Sequence, residues 1–254
     1  MAHQTPTHLA PSSLGTRAYW DSAYTTERQN FAQNTDDEGT VWFSDAGAEE
    51  RMCQFLEDLA EEGELVKGEE SASGEDDEEG EQPTRFLDLG TGNGHLLFSL
   101  REDGWMGGLV GVDYSAQSIA LAHEVLRNKN LAQRSCVSFY EYDILASTTS
   151  PPAWLAAGFD VVLDKGTFDA ISLSAETDGN GHRICEGYRE KVEGLVKQGG
   201  RFLITSCNWT EEELRGWFEG DESTLVYEDK VKYPSFRFGG KEGSSVCTLC
   251  FKRR

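Results

Sequence analysis

The sequence predicts an α/β fold, in which short buried strands alternate with helices along most of the 254 residues. Three observations predict this fold. Three apolar runs end in an acidic residue, at Asp88, Asp113 and Asp164. A turn with glycines at alternate positions, residues 90–94, follows the first run and precedes apolar residues at helical spacing. Two more strand-like runs close the chain as an antiparallel pair.

The first 60 residues divide into two parts. Residues 1–16 are rich in Pro, Ser, Thr and His and lack an apolar core, which predicts a disordered leader and not a signal peptide. Residues 17–60 begin with an irregular segment of large aromatic side chains and continue with an amphipathic helix over 48–59. We expect this part to pack on the domain, with its rings either in the core or as a lid over a ligand.

An acidic segment, residues 61–82, carries much of the net charge of −22. It predicts a disordered insertion before a core domain at 83–254, either a solvated loop or an arm that attracts a basic partner. In both cases the polarity argues against a nucleic-acid substrate, which needs Lys and Arg surfaces. No apolar run approaches the roughly 20 residues of a membrane span. We expect a monomer that binds neither nucleic acid nor membrane.

The six cysteines are scattered, mostly within apolar segments, which predicts buried thiols in a reducing compartment, the cytoplasm. Cys247 and Cys250 lack a second pair or nearby His ligands. In a strand their side chains point to opposite faces, so we expect no metal site there.

The glycine turn indicates a ligand site at the end of the first strand. Glycine permits positive φ and leaves no Cβ against a ligand, and the following helix N-terminus offers unpaired N–H groups. The third glycine, Gly94, comes one residue too early for the dinucleotide fingerprint, and the Gly-Lys-Ser/Thr of a P-loop is absent. Taken alone, the turn is equally compatible with a structural role.

The acids that follow the next strands indicate what such a ligand contains. Asp113 lies about twenty residues beyond the glycines, where a Rossmann-type sheet places the carboxylate that binds ribose hydroxyls. The alternative is a helix cap, which Ser115 also offers. A third strand, 136–140, leads to Asp143 and Ile144, and the fourth ends at Asp164. Asp143 is equally readable as an ordinary loop acid.

The C-terminal third completes the alternation. We predict a helix over 186–198 that ends at Gly199, a fifth strand over 200–205, and a helix opened by the capping box of Thr210 and Glu213. The antiparallel pair is predicted at 225–233 and 245–251, joined by a loop.

Six short runs of the sequence are distinctive when taken together. They are Tyr-Trp-Asp at 19–21, Val-Trp-Phe at 41–43, Asp-Leu-Gly-Thr-Gly-Asn-Gly at 88–94, Asp-Lys-Gly-Thr-Phe-Asp-Ala at 164–170, Leu-Ile-Thr-Ser-Cys-Asn-Trp-Thr at 203–210 and Phe-Gly-Gly at 238–240. This set resembles one family, the class I (seven-β-strand) S-adenosylmethionine-dependent protein-lysine methyltransferases that modify elongation factor 1-alpha. The resemblance begins at about Arg17 and leaves out the acidic insertion. It implies a Rossmann-like seven-stranded sheet with helices on both faces, S-adenosylmethionine as cofactor, and elongation factor 1-alpha as protein substrate.

The resemblance also implies site residues. Ribose binding falls to Asp113, and adenine binding to Asp143 and Ile144. Asp164 would orient the incoming amine or the methionine amino group, and it forms the reacting end together with Trp209. The implied cofactor residues are Asp88, Gly90, Thr91, Gly92, Gly94, Asp113, Tyr114, Asp143, Ile144 and Asp164. The implied wall of the lysine channel is Trp42, Phe43, Trp209 and Phe236, with core packing as the alternative for the aromatic side chains.

Methyl transfer to lysine needs a neutral amine, although a free lysine has a pKa near 10.4. Burial beside a cationic sulfonium disfavours the ammonium form, so a dedicated general base is not obligatory. Two other functions remain open from the sequence: a methyltransferase acting on a small molecule, and a silent methyltransferase-like binding module. The intact Asp88, glycine turn and Asp113 argue against the silent module.

Overall fold

The computed structural model describes residues 7–68, 81–129, 131, 136–146, 152–155, 157–234, 236–238 and 241–254. Its centre is a seven-stranded sheet, whose strands are β1 Phe86–Leu89, β2 Leu109–Asp113, β3 Val137–Glu141, β4 Phe159–Lys165, β5 Val196–Ser206, β6 Leu225–Lys230 and β9 Cys247–Arg253. Their order across the sheet is β3-β2-β1-β4-β5-β9-β6. The first five are parallel, and β9 runs antiparallel between β5 and β6.

Helices cover both faces of the sheet, which confirms the predicted fold class. The helices are α1 Arg17–Gln33, α2 Ala48–Glu61, α3 His95–Glu102, α4 Ala116–Asn128, α5 Thr167–Ser172, α6 Tyr188–Leu195 and α7 Glu211–Phe218. Successive strand residues point to opposite faces, so each strand contributes to two cores. Phe86, Leu109 and Val161 pack with α1 to α4, whereas Leu87, Val110 and Val162 pack with α5 to α7.

The N-terminal segment differs from the sequence prediction. Residues 17–33, predicted as irregular, form α1, whose first turn is capped by the Thr16 hydroxyl accepting from the Tyr19 N–H over 3.3 Å. Residues 7–16, predicted within a disordered leader, lie against the domain: the Ser12 N–H donates to the Leu173 carbonyl over 3.1 Å, and the His8 ring stacks on Trp217. Residues 1–6 and most of the acidic insertion lie outside the described residues.

Two C-terminal boundaries also differ from the prediction. The helix expected to run to position 198 ends at Leu195, because the chain becomes extended at Val196 and pairs with Phe159 of β4. The loop expected between the last two sheet strands contains a small hairpin, β7 Phe236–Phe238 and β8 Lys241–Gly243. Among the described helices, none combines the length and the apolar content needed to cross a lipid bilayer.

Candidate active site

A cavity of about 530 Å³ lies at the carboxyl ends of the parallel strands, where open α/β sheets bind their ligands. Its base is formed by residues at or just after the carboxyl ends of β1, β2, β3 and β4: Leu89, Gly90, Val112 to Tyr114, Tyr142 to Ala146, and Lys165 to Thr167. Its roof is formed by the N-terminal segment: Leu14, Gly15, Arg17, Trp20, Tyr24, Trp42 and Phe43. The ordered N-terminus thus closes a site that the sheet alone would leave open.

Asp113 holds the glycine turn and also lines the cavity. Its Oδ2 accepts hydrogen bonds from the Gly92 N–H over 3.2 Å and the Ser118 hydroxyl over 2.8 Å, and its Oδ1 accepts from the Ser115 N–H over 2.9 Å. Burial raises the pKa of Asp113, against the effect of these hydrogen bonds. Ser115 itself caps α4. Oδ1 therefore keeps an acceptor position for a ligand hydroxyl on the cavity side.

Tyr114 and Ile144 give this end of the cavity apolar surface beside charged neighbours. The Arg17 guanidinium lies over the Tyr114 ring, 5.3 Å from its centroid, and donates hydrogen bonds to the Tyr114 carbonyl and to Glu141. Asp143 Oδ1 accepts from the Leu145 N–H over 2.9 Å, which closes the turn after β3 and presents Ile144 to the cavity. We call this region the adenosine end: it combines an acceptor for ribose with apolar walls for a flat ring.

Of the three glycines of the turn, only Gly90 lines the cavity. A Cβ at Gly92 would lie 2.6 Å from the Tyr24 hydroxyl, and one at Gly94 would lie 2.6 Å from the Phe139 ring. These two glycines are therefore required by the packing of the chain on itself. Asp88 and Thr91 are buried and do not line the cavity.

The residues present fit S-adenosylmethionine. Asp113 offers a hydroxyl acceptor, Ile144 and Tyr114 offer apolar contact, and Gly90 contributes to the cavity wall. Asp113, Asp143 and Asp169 place three carboxylates along the cavity, which suits a ligand that carries a sulfonium and an ammonium.

Asp164 does not line the cavity, contrary to the role predicted for it. Its carboxylate is fully buried and accepts from the Thr167 N–H over 2.8 Å, the Phe168 N–H over 3.0 Å and the Tyr188 hydroxyl over 2.6 Å. Burial raises its pKa to about 7. The carboxylate therefore holds the start of α5 instead of facing an acceptor.

The carboxylate that reaches this part of the cavity is Asp169, five residues further along the same run. It accepts from the Ser206 hydroxyl and from the Cys207 N–H, over 2.8 Å for the latter. It thereby fixes the turn after β5, so that Cys207 and Asn208 line the cavity. We call the region bounded by Trp42, Phe43, Asp169 and Asn208 the acceptor end.

The four aromatic residues predicted for the lysine channel separate in the structure. Trp42 and Phe43 line the cavity, and Trp42 is 38% exposed at its mouth. Trp209 is buried: its Nε1–H donates to the Ser172 hydroxyl over 3.3 Å, and its ring packs on Phe168 and Trp217. Phe236 begins β7, and its side chain lies outside the described part of the chain.

Sequence reasoning missed Arg17, Lys165, Asp169 and Asn208 as cavity residues. The last three lie within the runs 164–170 and 203–210, and Arg17 lies just before the run 19–21. Those runs were the available signal. They did not show which of several polar side chains in each run faces the ligand.

Comparisons with known proteins identify the family of the chain. A family model described as a methyltransferase domain matches residues 81–243. The protein-lysine N-methyltransferase EFM4 of Saccharomyces cerevisiae is 39% identical over 246 residues, which are 97% of each chain. The EEF1A lysine methyltransferase 2 of Homo sapiens is 34% identical over 245 residues, 96% of this chain and 89% of that protein.

Among solved structures, the chain is similar to magnesium protoporphyrin IX methyltransferase (ChlM) from Synechocystis PCC 6803 with bound S-adenosylmethionine. The TM-score is 0.51 at 14% identity, over 91% of this chain and 97% of that chain. At this identity the similarity concerns the fold alone.

Proposed function

We propose that this protein transfers a methyl group from S-adenosylmethionine to a lysine of translation elongation factor 1-alpha, because the chain belongs to the family of methyltransferases that includes EFM4 and EEF1A lysine methyltransferase 2. The observation that carries the proposal is the continuous cavity, which joins an adenosine end at Asp113 to an aromatic mouth at Trp42 and Phe43. One end suits the cofactor, and the other admits a long side chain from outside.

The residues at the adenosine end would bind and orient the cofactor. Asp113 Oδ1 would accept a hydrogen bond from a ribose hydroxyl, and Ile144 and Tyr114 would contact the base. When bound, S-adenosylmethionine supplies an electrophilic methyl group on a cationic sulfonium. The protein must then position the substrate amine, because in-line methyl transfer requires the amine nitrogen to lie close to the methyl carbon and to be directed at it.

The residues at the acceptor end would receive the substrate amine. Trp42 and Phe43 give its aliphatic stem an aromatic wall, and aromatic faces also attract a methylammonium product. Asp169 and Asn208 offer oxygen acceptors for the N–H bonds of the neutral amine. The side chains of α1 over the cavity and the charge of the sulfonium would disfavour the ammonium form of the substrate lysine. Its proton would pass to solvent at the mouth before the methyl group is transferred.

A small-molecule acceptor is the second candidate function. The feature that favours a protein is the exposure of Trp42 at the mouth, since an aromatic side chain that is both exposed and part of the site suits contact with a larger partner. The silent binding module is disfavoured by the family and by the open acceptor position of Asp113. We further propose that the enzyme acts in the cytoplasm, since no disulfide joins its cysteines in the described part of the chain, and that it acts as a monomer.

The test is mass spectrometry of recombinant elongation factor 1-alpha incubated with the protein and S-adenosylmethionine. We expect the mass of one lysine residue of the substrate to rise by about 14 Da for each methyl group that is transferred. Asp113→Ala should abolish the gain and cofactor binding in calorimetry. The matched control, Asp229→Ala on the exposed end of β6, should retain both. No mass gain with the wild-type protein, while it binds the cofactor, would reject the proposed substrate.

A further inference from the structure

We propose that Lys165 is a positioning residue for the acceptor end, a role that rests on the proposed function. It holds the turn at Trp42 and Phe43 through a hydrogen bond to the Trp42 carbonyl, and it is itself held by Glu49 of α2. Lys165 would thus set the shape of the aromatic mouth without contacting the reacting atoms.

The turn needs such support because its backbone is strained. Phe43 has φ of 63°, and it is the only residue other than glycine with positive φ among the described residues. That conformation costs an L-residue roughly 1–2 kcal/mol. It persists where the surroundings hold it in place, and such strain clusters at functional sites.

Contacts on both sides fix the turn. The Phe43 carbonyl accepts from the Ala46 N–H over 3.1 Å and the Ala48 N–H over 3.2 Å, so the turn is tied to the start of α2. The Phe43 ring lies against Gly166, where a Cβ would come within 3.1 Å of two ring carbons. The Trp42 carbonyl accepts from Lys165 Nζ over 3.3 Å. This last hydrogen bond comes from the strand end that also borders the acceptor end.

Lys165 is placed for this task by its own environment. It is the last residue of β4, its side chain is only 13% exposed, and it lines the cavity. Its Nζ lies 3.7 Å from Glu49 Oε2, a buried oxygen that has no hydrogen-bond partner. Removing a cation from a buried carboxylate oxygen without another partner would leave that charge uncompensated. The attraction to Glu49 therefore keeps the Lys165 ammonium group in its position.

Glu49 is in turn fixed from α3. Its Oε1 accepts from the Ser99 hydroxyl over 2.8 Å and lies 2.5 Å from His95 Nδ1. Burial alone would raise the pKa of Glu49, but the hydrogen bond to His95 and the charge of Lys165 outweigh it, so the pKa lies below its usual value. The same contact raises the pKa of His95. Residues of α3 therefore hold Glu49, Glu49 holds Lys165, and Lys165 holds the turn at the mouth.

The test is a double-mutant cycle on steady-state methylation of elongation factor 1-alpha. Lys165→Met keeps the length of the side chain and removes the charge and the donor. We expect a KM for the protein substrate about tenfold higher, with kcat and the cofactor dissociation constant within about twofold of wild type. Trp42→Ala should raise the KM similarly. The double variant should raise the KM by less than the product of the two single effects, since Lys165 acts through the turn that carries Trp42.

Matched variants separate positioning from mere stability. Lys197→Met removes a lysine with a shorter carboxylate contact, 2.7 Å to Asp160, away from the cavity. The KM of this variant should stay at the wild-type value. If Lys165→Met folds poorly, Lys165→Met with Glu49→Gln removes both charges of the pair. That variant should fold and still show the raised KM.

A readout without substrate completes the design. Acrylamide quenching of tryptophan fluorescence is measured with and without the additional substitution Trp42→Phe, and the difference gives the part that comes from Trp42. This part should increase in Lys165→Met. Multiplicative KM effects in the cycle, or unchanged quenching and KM, would overturn the role of Lys165. A wild-type protein that binds the cofactor and methylates no lysine of elongation factor 1-alpha would instead reject the proposed function, whatever the quenching shows.

Discussion

The Tyr188 hydroxyl donates a 2.6 Å hydrogen bond to Oδ2 of Asp164, and both side chains are fully buried. Two backbone N–H groups at the start of α5 occupy the same carboxylate. An acid at the end of a central strand would ordinarily be assigned to the ligand. Here it joins three elements, β4, α5 and α6, beneath the cavity that they border.

Asp164→Asn should therefore destabilise the fold more than it impairs chemistry. The amide replaces one acceptor oxygen by a donor that faces N–H or O–H groups, which leaves buried polar atoms without partners. We expect the free energy of unfolding in urea to fall by about 1–3 kcal/mol. The cofactor dissociation constant should stay within about twofold. A kcat lower by two orders of magnitude with unchanged unfolding would instead support direct action of Asp164 on the acceptor.

Gly92→Ala should act through Tyr24. The new methyl group would lie 2.6 Å from the Tyr24 hydroxyl, and the alanine would have to adopt a φ of 58°, which is strained for any residue other than glycine. We expect α1 to shift, which lowers the melting temperature and weakens cofactor binding. Tyr24→Phe removes that hydroxyl, and the next ring atom is 3.5 Å away. The double variant should recover part of the affinity measured by calorimetry. If Tyr24→Phe restored none of the cofactor affinity of Gly92→Ala, the glycine would be required by the cofactor and not by Tyr24.

The sheet could be predicted from the sequence because its signals are local. Each parallel strand is a short apolar run, and the acids at Asp113 and Asp143 come within a few residues of a strand end. The direction of the Asp164 carboxylate is not local, since it depends on Tyr188, 24 residues away. The sequence therefore predicts a site at the edge of the sheet where the cavity lies, whereas packing decides that Asp169 and not Asp164 lines that cavity.

The roof of the site could not be predicted for a related reason. In α1 only Tyr24 and Phe31 are buried, so the helix has a narrow apolar face that is hard to distinguish from an irregular segment. Its position is fixed by distant ion pairs and hydrogen bonds, such as Arg28 to Glu124 over 2.6 Å. Such contacts become visible only when α1 and α4 lie side by side.

Trp209→Ala should lower stability and leave the substrate KM without a specific change. The ring is buried between Phe168 and Trp217, so truncation leaves a cavity in the core on the α5 to α7 face. We expect the free energy of unfolding to fall by about 3–5 kcal/mol. Trp209→Phe should recover much of that loss, because it refills most of the volume. If Trp209→Phe had wild-type stability and a raised KM for the protein substrate, Trp209 would instead form part of the wall of the lysine channel.

The stability of the protein should depend on pH through Asp88. Burial raises the pKa of Asp88 to about 7, well above the value near 3.9 of an unfolded aspartate. Between these two values the folded state binds more protons than the unfolded state. The contribution of Asp88 to stability is therefore fully present below about pH 4 and is lost as the pH rises through about 7.

Asp88→Asn should remove this dependence, because an amide does not titrate. Asp164, whose pKa is also raised to about 7, contributes equally to both proteins and cancels in the comparison. We expect the difference in unfolding free energy between variant and wild type, measured in urea, to shift in favour of the variant by up to about 4 kcal/mol from pH 4 to pH 8. The fixed cost of placing an amide in the site is the same at both pH values. An equal difference at pH 4 and pH 8 would show that Asp88 is ionised in the folded protein throughout this range, paired with a cation such as Lys165.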